Sequence, residues 1–246
     1  MLEAGMCALD SAVEAARVLE DDGRFNAGSG SVLRIDGKTI EMDASVMDSN
    51  GKIGSVINIR GVKNPVLVAR AVLGSPHVAM AGRGAQAFAR KLGFRPYYKV
   101  SKKALEIFKK SGKNLQTGGS RKADTIGAVA LDKSGVFAVA SSTGGASPML
   151  VGRVGDTPMV GCGFYAGPMG AVAVTGLGEE SIRKMLAKTV YDMLAGGMEA
   201  GAACKKGIGL FPARVKMGVI ALTKNGYGWA ATGRNPMAQY SIIKPA

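Results

Sequence analysis

A single histidine serves all 246 residues, and that scarcity removes most hydrolytic machinery at once. His77, in SPHVAM, has no second histidine to share a triad or a metal, so Ser-His-Asp, Cys-His and histidine-rich metal sites find no support. The three cysteines, Cys7, Cys162 and Cys204, are an odd number without C-x-x-C spacing, which argues against a disulfide framework or a zinc knuckle. No apolar run reaches membrane-spanning length and no signal-peptide pattern opens the chain, so the expectation is a soluble cytoplasmic protein with no membrane partner. A P-loop is absent, and the glycine-rich GRGAQA and GSGSVL lack the dinucleotide-binding spacing. Acidic residues are few as well, 18 against 32 Lys and Arg, for a formal charge of +14. Such a balance invites a nucleic-acid reading, but residues 99–122 alone hold eight Lys and Arg against one Glu. That stretch lacks the interleaved aromatics of a single-strand platform and reads as a mobile, solvated basic linker over 99–124, which argues against nucleic acid as a partner.

What the chain does have is glycine, 36 residues of it, and an apolar fraction of 47%, enough for a substantial core built on tight turns. Leu9, Ala12, Val13 and Ala16 recur at helical spacing within 5–20. A Gly/Asn/Asp-rich loop then runs into strands joined at Asp36-Gly37 and Asn50-Gly51. Two short helices are predicted after Asn64-Pro65, with a helical turn or two after Ser101. Strands follow at 126–132, 136–142 and 170–178, then one helix over 179–195, and finally strands near 219–222 and 227–231. Strands grouped in blocks between helices favour an α+β fold with antiparallel sheets covered by helices.

One route to acyl transfer needs no histidine: a threonine at a chain start, whose own α-amine serves as its base. RKADTIGAVALD places Asp124-Thr125 where a basic run meets a strand. A free α-amine has a pKa of about 7.7–8.0, so a useful fraction is unprotonated near neutrality. On spacing alone an ordinary strand start explains the pair equally well.

DTIGAVALD, SSTGG, GRVGDTP and VTGLGE, in this order, resemble the plant-type asparaginase and isoaspartyl aminopeptidase family, as do LEDDGRFNAGSG, EMDASVMD and VKNPVLVARAV upstream. The similarity spans nearly the whole chain. It implies a four-layer αββα Ntn-hydrolase sandwich made as a precursor that cuts itself between Asp124 and Thr125. The pieces 1–124 and 125–246 would stay together, usually as a dimer of αβ pairs. Thr125 would be the nucleophile, with Thr143 and Asn26 beside it and Thr175 and Gly176 forming the oxyanion hole. Arg153 and Asp156 would take the substrate's α-carboxylate and α-amine, and Gly178 would line the site. No catalytic cofactor is implied, but a structural sodium ion would be held by backbone carbonyls of Leu19, Glu20, Asp22, Phe25, Ala27 and Ser29. The substrates implied are L-asparagine and β-aspartyl dipeptides. A glycosylasparaginase-like activity and an inactive basic binding protein on the same scaffold remain as alternatives. Family members start with a strand and an HGGAG-like turn ahead of the first helix. This sequence opens inside that helix, so that strand is expected to be missing, and Leu177 stands where the family usually has Thr.

Overall fold

The computed structural model describes residues 2, 5–111, 122–123, 125–233 and 237–241, the backbone only at 122–123. Helix α1 (Ala8–Asp22) turns Leu9, Ala12, Val13 and Ala16 inward, as their spacing requires. Its first N–H is capped from afar, Ala8 N donating to Asp132 Oδ2 at 2.9 Å, and it ends on Gly23 in the left-handed region. Strands β1 (Met42–Asp48) and β2 (Ile53–Ile59) form the hairpin expected at Asn50-Gly51. Asp36-Gly37 turns the chain but joins no strands. Residues 31–34 are irregular, because Ile35 N bonds to Met149 O and the Arg34 side chain turns into the interior instead of continuing a ladder.

Helices α2 (Pro65–Val72) and α3 (Gly82–Lys91) match the predicted pair, and β3 (Ala79–Ala81) adds to β2 in parallel. Helix α4 (Lys102–Ser111) is ten residues long, more than the turn or two expected of the basic segment. Residues 112–121 and 124 of that segment lie outside the described residues. Strand β4 (Lys122–Ala123) leads to β5 (Ile126–Leu131) and β6 (Phe137–Thr143), a hairpin turning at Lys133–Gly135. Then come β7 (Ala146–Ser147), which pairs with β4, and the hairpin of β8 (Phe164–Gly167) and β9 (Gly170–Gly176).

The helix predicted over 179–195 is two, α5 (Gly178–Lys184) and α6 (Leu186–Ala195). Met185 breaks it at φ +45°, and the carbonyls of Gly161 and Cys162 accept the first N–H groups of α6. Helix α7 (Ala200–Ile208), which no periodicity announced, precedes β10 (Met217–Thr223) and β11 (Gly226–Ala231).

Two sheets result, ordered β3-β2-β1-β6-β5 and β11-β10-β9-β8, beside the short β4-β7 pair. Helices α1 to α3 cover the first sheet and α6 and α7 the second, while β1, β5 and β6 lie against β8, β9 and β10. Phe137 and Phe164 are fully buried between the sheets with Met47, Val139 and Ala173. Each phenyl ring so placed contributes about 1.5–3 kcal/mol of hydrophobic stabilisation. The inner faces are otherwise small, Ala166, Ala171 and Ala173 among them, which lets the sheets approach closely. Every strand that ends near residues 125, 143 and 176 therefore ends on a rigid support.

Candidate active site

Thr125 lies one residue ahead of β5, where the ladder Ile126↔Ser142 sets it beside the end of β6. Its Oγ1 donates to Thr143 Oγ1 at 3.2 Å, and its N–H donates to Thr175 Oγ1 at 3.2 Å. Thr143 is buried and also accepts from Gly145 N at 3.0 Å, so its hydroxyl is fixed. Thr175 is the last residue but one of β9, and its hydroxyl oxygen accepts while its proton is free to donate. Gly176 follows at φ +132°, where a Cβ would stand 2.3 Å from Lys216 O, so only glycine fits this wall.

Opposite these threonines stand Arg153 and Asp156. The Arg153 fork grips Glu179, Nε to Oε1 at 3.0 Å and Nη2 to Oε2 at 2.8 Å. Asp156 is buried and its Oδ2 has no hydrogen-bond partner among the described residues. Burial pushes its carboxyl up to about 6, against which its own backbone N–H and the Arg153 charge pull down. Gly178 closes the floor, since a Cβ there would lie 2.9 Å from Asp156 Oδ1 and 3.0 Å from Arg153 Nη2. Thr125, Thr143, Gly145, Arg153, Asp156 and Gly176 enclose about 10 Å³, room for about one water.

The sequence-predicted residues are thus brought together with two qualifications. Asp124 lies outside the described residues. Asn26 stands one step back: its Oδ1 accepts from Val32 N at 3.0 Å, and its Nδ2 donates to Gly145 O. With Gly144 N donating to Asn26 O at 2.7 Å, Asn26 holds the 143–145 turn.

The loop after α1 wraps on itself. Ser29 Oγ donates to Glu20 O at 2.7 Å, and a Cβ on Gly30 would stand 2.0 Å from Phe25 O and 2.7 Å from Gly23 O. The carbonyls of Phe25 and Gly23 thus face the bare side of Gly30, and neutral carbonyl oxygens are the donor type that a hard cation takes. The Glu20 side chain leaves this loop for the interior, its Oε1 accepting from Val66 N at 3.0 Å and Ser142 Oγ at 2.6 Å, and burial pushes its carboxyl up to about 8.

Sequence reasoning missed a buried network behind Arg153. Arg34 Nε donates to Glu41 Oε2 at 3.0 Å, and the same oxygen accepts from Gly152 N at 2.7 Å. Asn58, at φ +50°, donates through Nδ2 to Gly152 O at 3.0 Å and through its N–H to Asp43 Oδ1 at 2.7 Å. Burial pushes the Asp43 carboxyl up to about 6. Glu41 and Asp43 flank the first residue of β1 in EMD, and that clustering was the available signal. Lone His77 is exposed and remote from all of this, its N–H donating to Ser75 Oγ.

The sequence profile of one family, described as asparaginase, matches residues 1–244. A plant-type L-asparaginase of Pyrococcus horikoshii is 41% identical over 239 residues, covering 89% of this chain and 78% of that protein. An isoaspartyl peptidase/L-asparaginase of Rattus norvegicus is 39% identical, covering 99% and 76%. An isoaspartyl peptidase of Escherichia coli is 43% identical, covering 84% and 69%.

Proposed function

The chain belongs to the asparaginase family, and from that premise we propose that it hydrolyses the side-chain amide of L-asparagine and the isopeptide bond of β-aspartyl dipeptides, after cutting itself before Thr125. The observation that carries the reading is the placing of Thr125 between Thr143 and Thr175, across a small space from Arg153 and Asp156. Arg153, whose Nε and Nη2 are held by Glu179, offers its guanidinium charge to a carboxylate, and buried Asp156, with Oδ2 unpartnered among the described residues, offers its own to an ammonium, which is what an α-amino acid requires. The relatives named asparaginase and isoaspartyl peptidase support the substrate class.

In self-cleavage, Thr125 Oγ1 attacks the Asp124 carbonyl carbon. The Asp124–Thr125 C–N bond breaks to give an ester and a free amine, and water then hydrolyses the ester. Thr143 holds the attacking hydroxyl. In turnover the freed amine takes the Thr125 hydroxyl proton as Oγ1 adds to the substrate's side-chain carbonyl. The Thr175 hydroxyl and the Gly176 backbone stabilise the oxyanion, a role worth about 3–4 kcal/mol per donor. The amine returns its proton to the departing ammonia or amino acid, and water releases aspartate from the Thr125 ester.

The wider reading is a four-layer αββα sandwich whose two pieces pair further into a dimer, and the two facing sheets with helices outside support its first part. In that reading the carbonyls of Leu19, Glu20, Asp22, Phe25, Ala27 and Ser29 hold a sodium ion, which neutralises converging carbonyls and fixes the loop that Asn26 continues. Incubated protein run on a denaturing gel should give pieces of 124 and 122 residues, and purified wild type should release ammonia from asparagine. Thr125→Ala should do neither, and asparagine hydrolysis by that variant would defeat the assignment.

A further inference from the structure

A cavity of about 250 Å³ lies apart from the Thr125 site and shares no lining residue with it. Its rim carries Lys38, Arg60 and Lys99, its walls are Tyr97 and Tyr98 with Met42 and Val62, and among the described residues no carboxylate lines it. The aromatic wall is anchored. Tyr97 N donates to Gly61 O at 3.1 Å, the Tyr98 ring lies against the bare face of Gly61, and Tyr98 Oη accepts from Gln86 Nε2 at 3.3 Å. Among the described residues, no ion pair joins Lys38 or Lys99. Three cations around a partly apolar hollow concentrate positive potential where low-dielectric walls screen it least.

We propose that this cavity binds a small organic anion, a phosphate or carboxylate on a flat apolar body, and that its occupant is sensed at Arg153. The headgroup meets Lys38, Arg60 and Lys99, and the flat body lies against the tyrosines. Arg60 provides the link, because its Nη2 donates to Glu41 Oε1 at 2.5 Å while Glu41 Oε2 accepts from Gly152 N, the residue before Arg153. An anion that draws Arg60 away leaves the Glu41 charge to Arg34 and Gly152 alone, which tightens the segment carrying Arg153. This coupling, unlike the binding, rests on the proposed role of Arg153 in holding the substrate carboxylate.

Phenyl phosphate is a suitable probe, with inorganic phosphate and phenol as its two halves. Calorimetric titration of the intact Thr125→Ala chain should show saturable binding of phenyl phosphate, at least tenfold weaker for either half. Lys38→Ala with Lys99→Ala should weaken it at least tenfold and leave basal activity unchanged in the otherwise wild-type enzyme. No binding, or binding indifferent to the double substitution, overturns the site whether or not the chain is a hydrolase. In cleaved wild type, saturating phenyl phosphate should lower KM for asparagine at least twofold at constant kcat, and the double variant should lose that effect. An unchanged or raised KM, with binding intact, overturns the coupling to Arg153.

Discussion

At the scale of single residues, the two carboxylates nearest Arg153 are set apart by what surrounds them. Glu179 is half-exposed and gripped by the Arg153 fork, whereas Asp156 is sealed from water with one oxygen unpartnered. The raised Asp156 pKa, about 6 against an ordinary 3.8, means that its charged form is disfavoured until a cation arrives. An ammonium group binds the ionised form, so protons compete with substrate below about pH 6. In the proposed mechanism the Thr125 amine must also lose its proton before it can act, and a free α-amine does so at about pH 7.7–8.0. The free enzyme therefore has two groups to deprotonate and the substrate complex only one, since there Asp156 is already paired. The expected profile is kcat/KM falling with a slope approaching two below pH 6, while kcat falls with a slope of one. Asp156→Asn should raise KM and return the kcat/KM slope to one. A slope of one for both parameters in wild type would remove Asp156 from substrate binding.

At the scale of elements, Met185 is the place where periodicity misled. Ile182, Met185, Leu186, Val190, Met193 and Leu194 mark one helical stripe in the sequence, yet Met185 is exposed and left-handed. Tertiary contacts decide the matter: α6 starts afresh because Gly161 and Cys162 supply acceptors for its first N–H groups. A non-glycine residue held left-handed costs about 1–2 kcal/mol, and an exposed side chain gives little of that back. Met185→Gly should accordingly raise stability in urea by about 1 kcal/mol, while loss of stability would mean that the Met185 side chain packs more than its exposure indicates. Elsewhere the period served well, as in α1 and in the β1–β2, β5–β6 and β10–β11 hairpins, because each has a clean apolar face or an Asn-Gly or Ser-Gly turn. The candidate site residues come from multi-residue motifs read together, and the fold sets Thr125, Thr143, Arg153 and Asp156 around one small space with Thr175 bonded to Thr125 N. What spacing does not carry is contact across the chain. Arg34 and Glu41 look like surface polar residues in sequence, and only folding turns them inward, while half-buried Asn58 reaches Gly152 at the surface. That network makes its own prediction. Glu41 accepts from Arg34, Arg60 and Gly152, and Arg34 is wholly buried, so Glu41→Ala strands a buried guanidinium. Removing one partner of such a pair costs about 3–5 kcal/mol, which urea unfolding should show, whereas Arg60→Ala at the exposed end should cost about 1 kcal/mol or less.

At the scale of the whole molecule, the question is what would hold two pieces together after the proposed cut between Asp124 and Thr125. The first sheet answers it, because β1 to β3 come from one side of that bond and β5 and β6 from the other. The joint is the β1–β6 ladder, six residue pairs from Asp43↔Thr143 to Asp48↔Ala138, in the middle of the sheet. Around it Val46 and Ala140 are fully buried, and α1 of the first piece lies across β5 and β6 of the second. Neither piece can complete this core alone. The proposed cut would leave those contacts in place but make unfolding a dissociation, in which one native assembly gives two chains. Native stability then depends on concentration through mass action, as for any obligate pair. Tm of the cleaved wild type should therefore fall on hundredfold dilution, and Tm of uncleaved Thr125→Ala should fall less over the same range. Association into larger assemblies acts on both proteins alike, so the difference between them isolates the cut. Equal dilution dependence in the two would mean that the pieces unfold without separating, and the β1–β6 ladder would not be the joint assigned to it here.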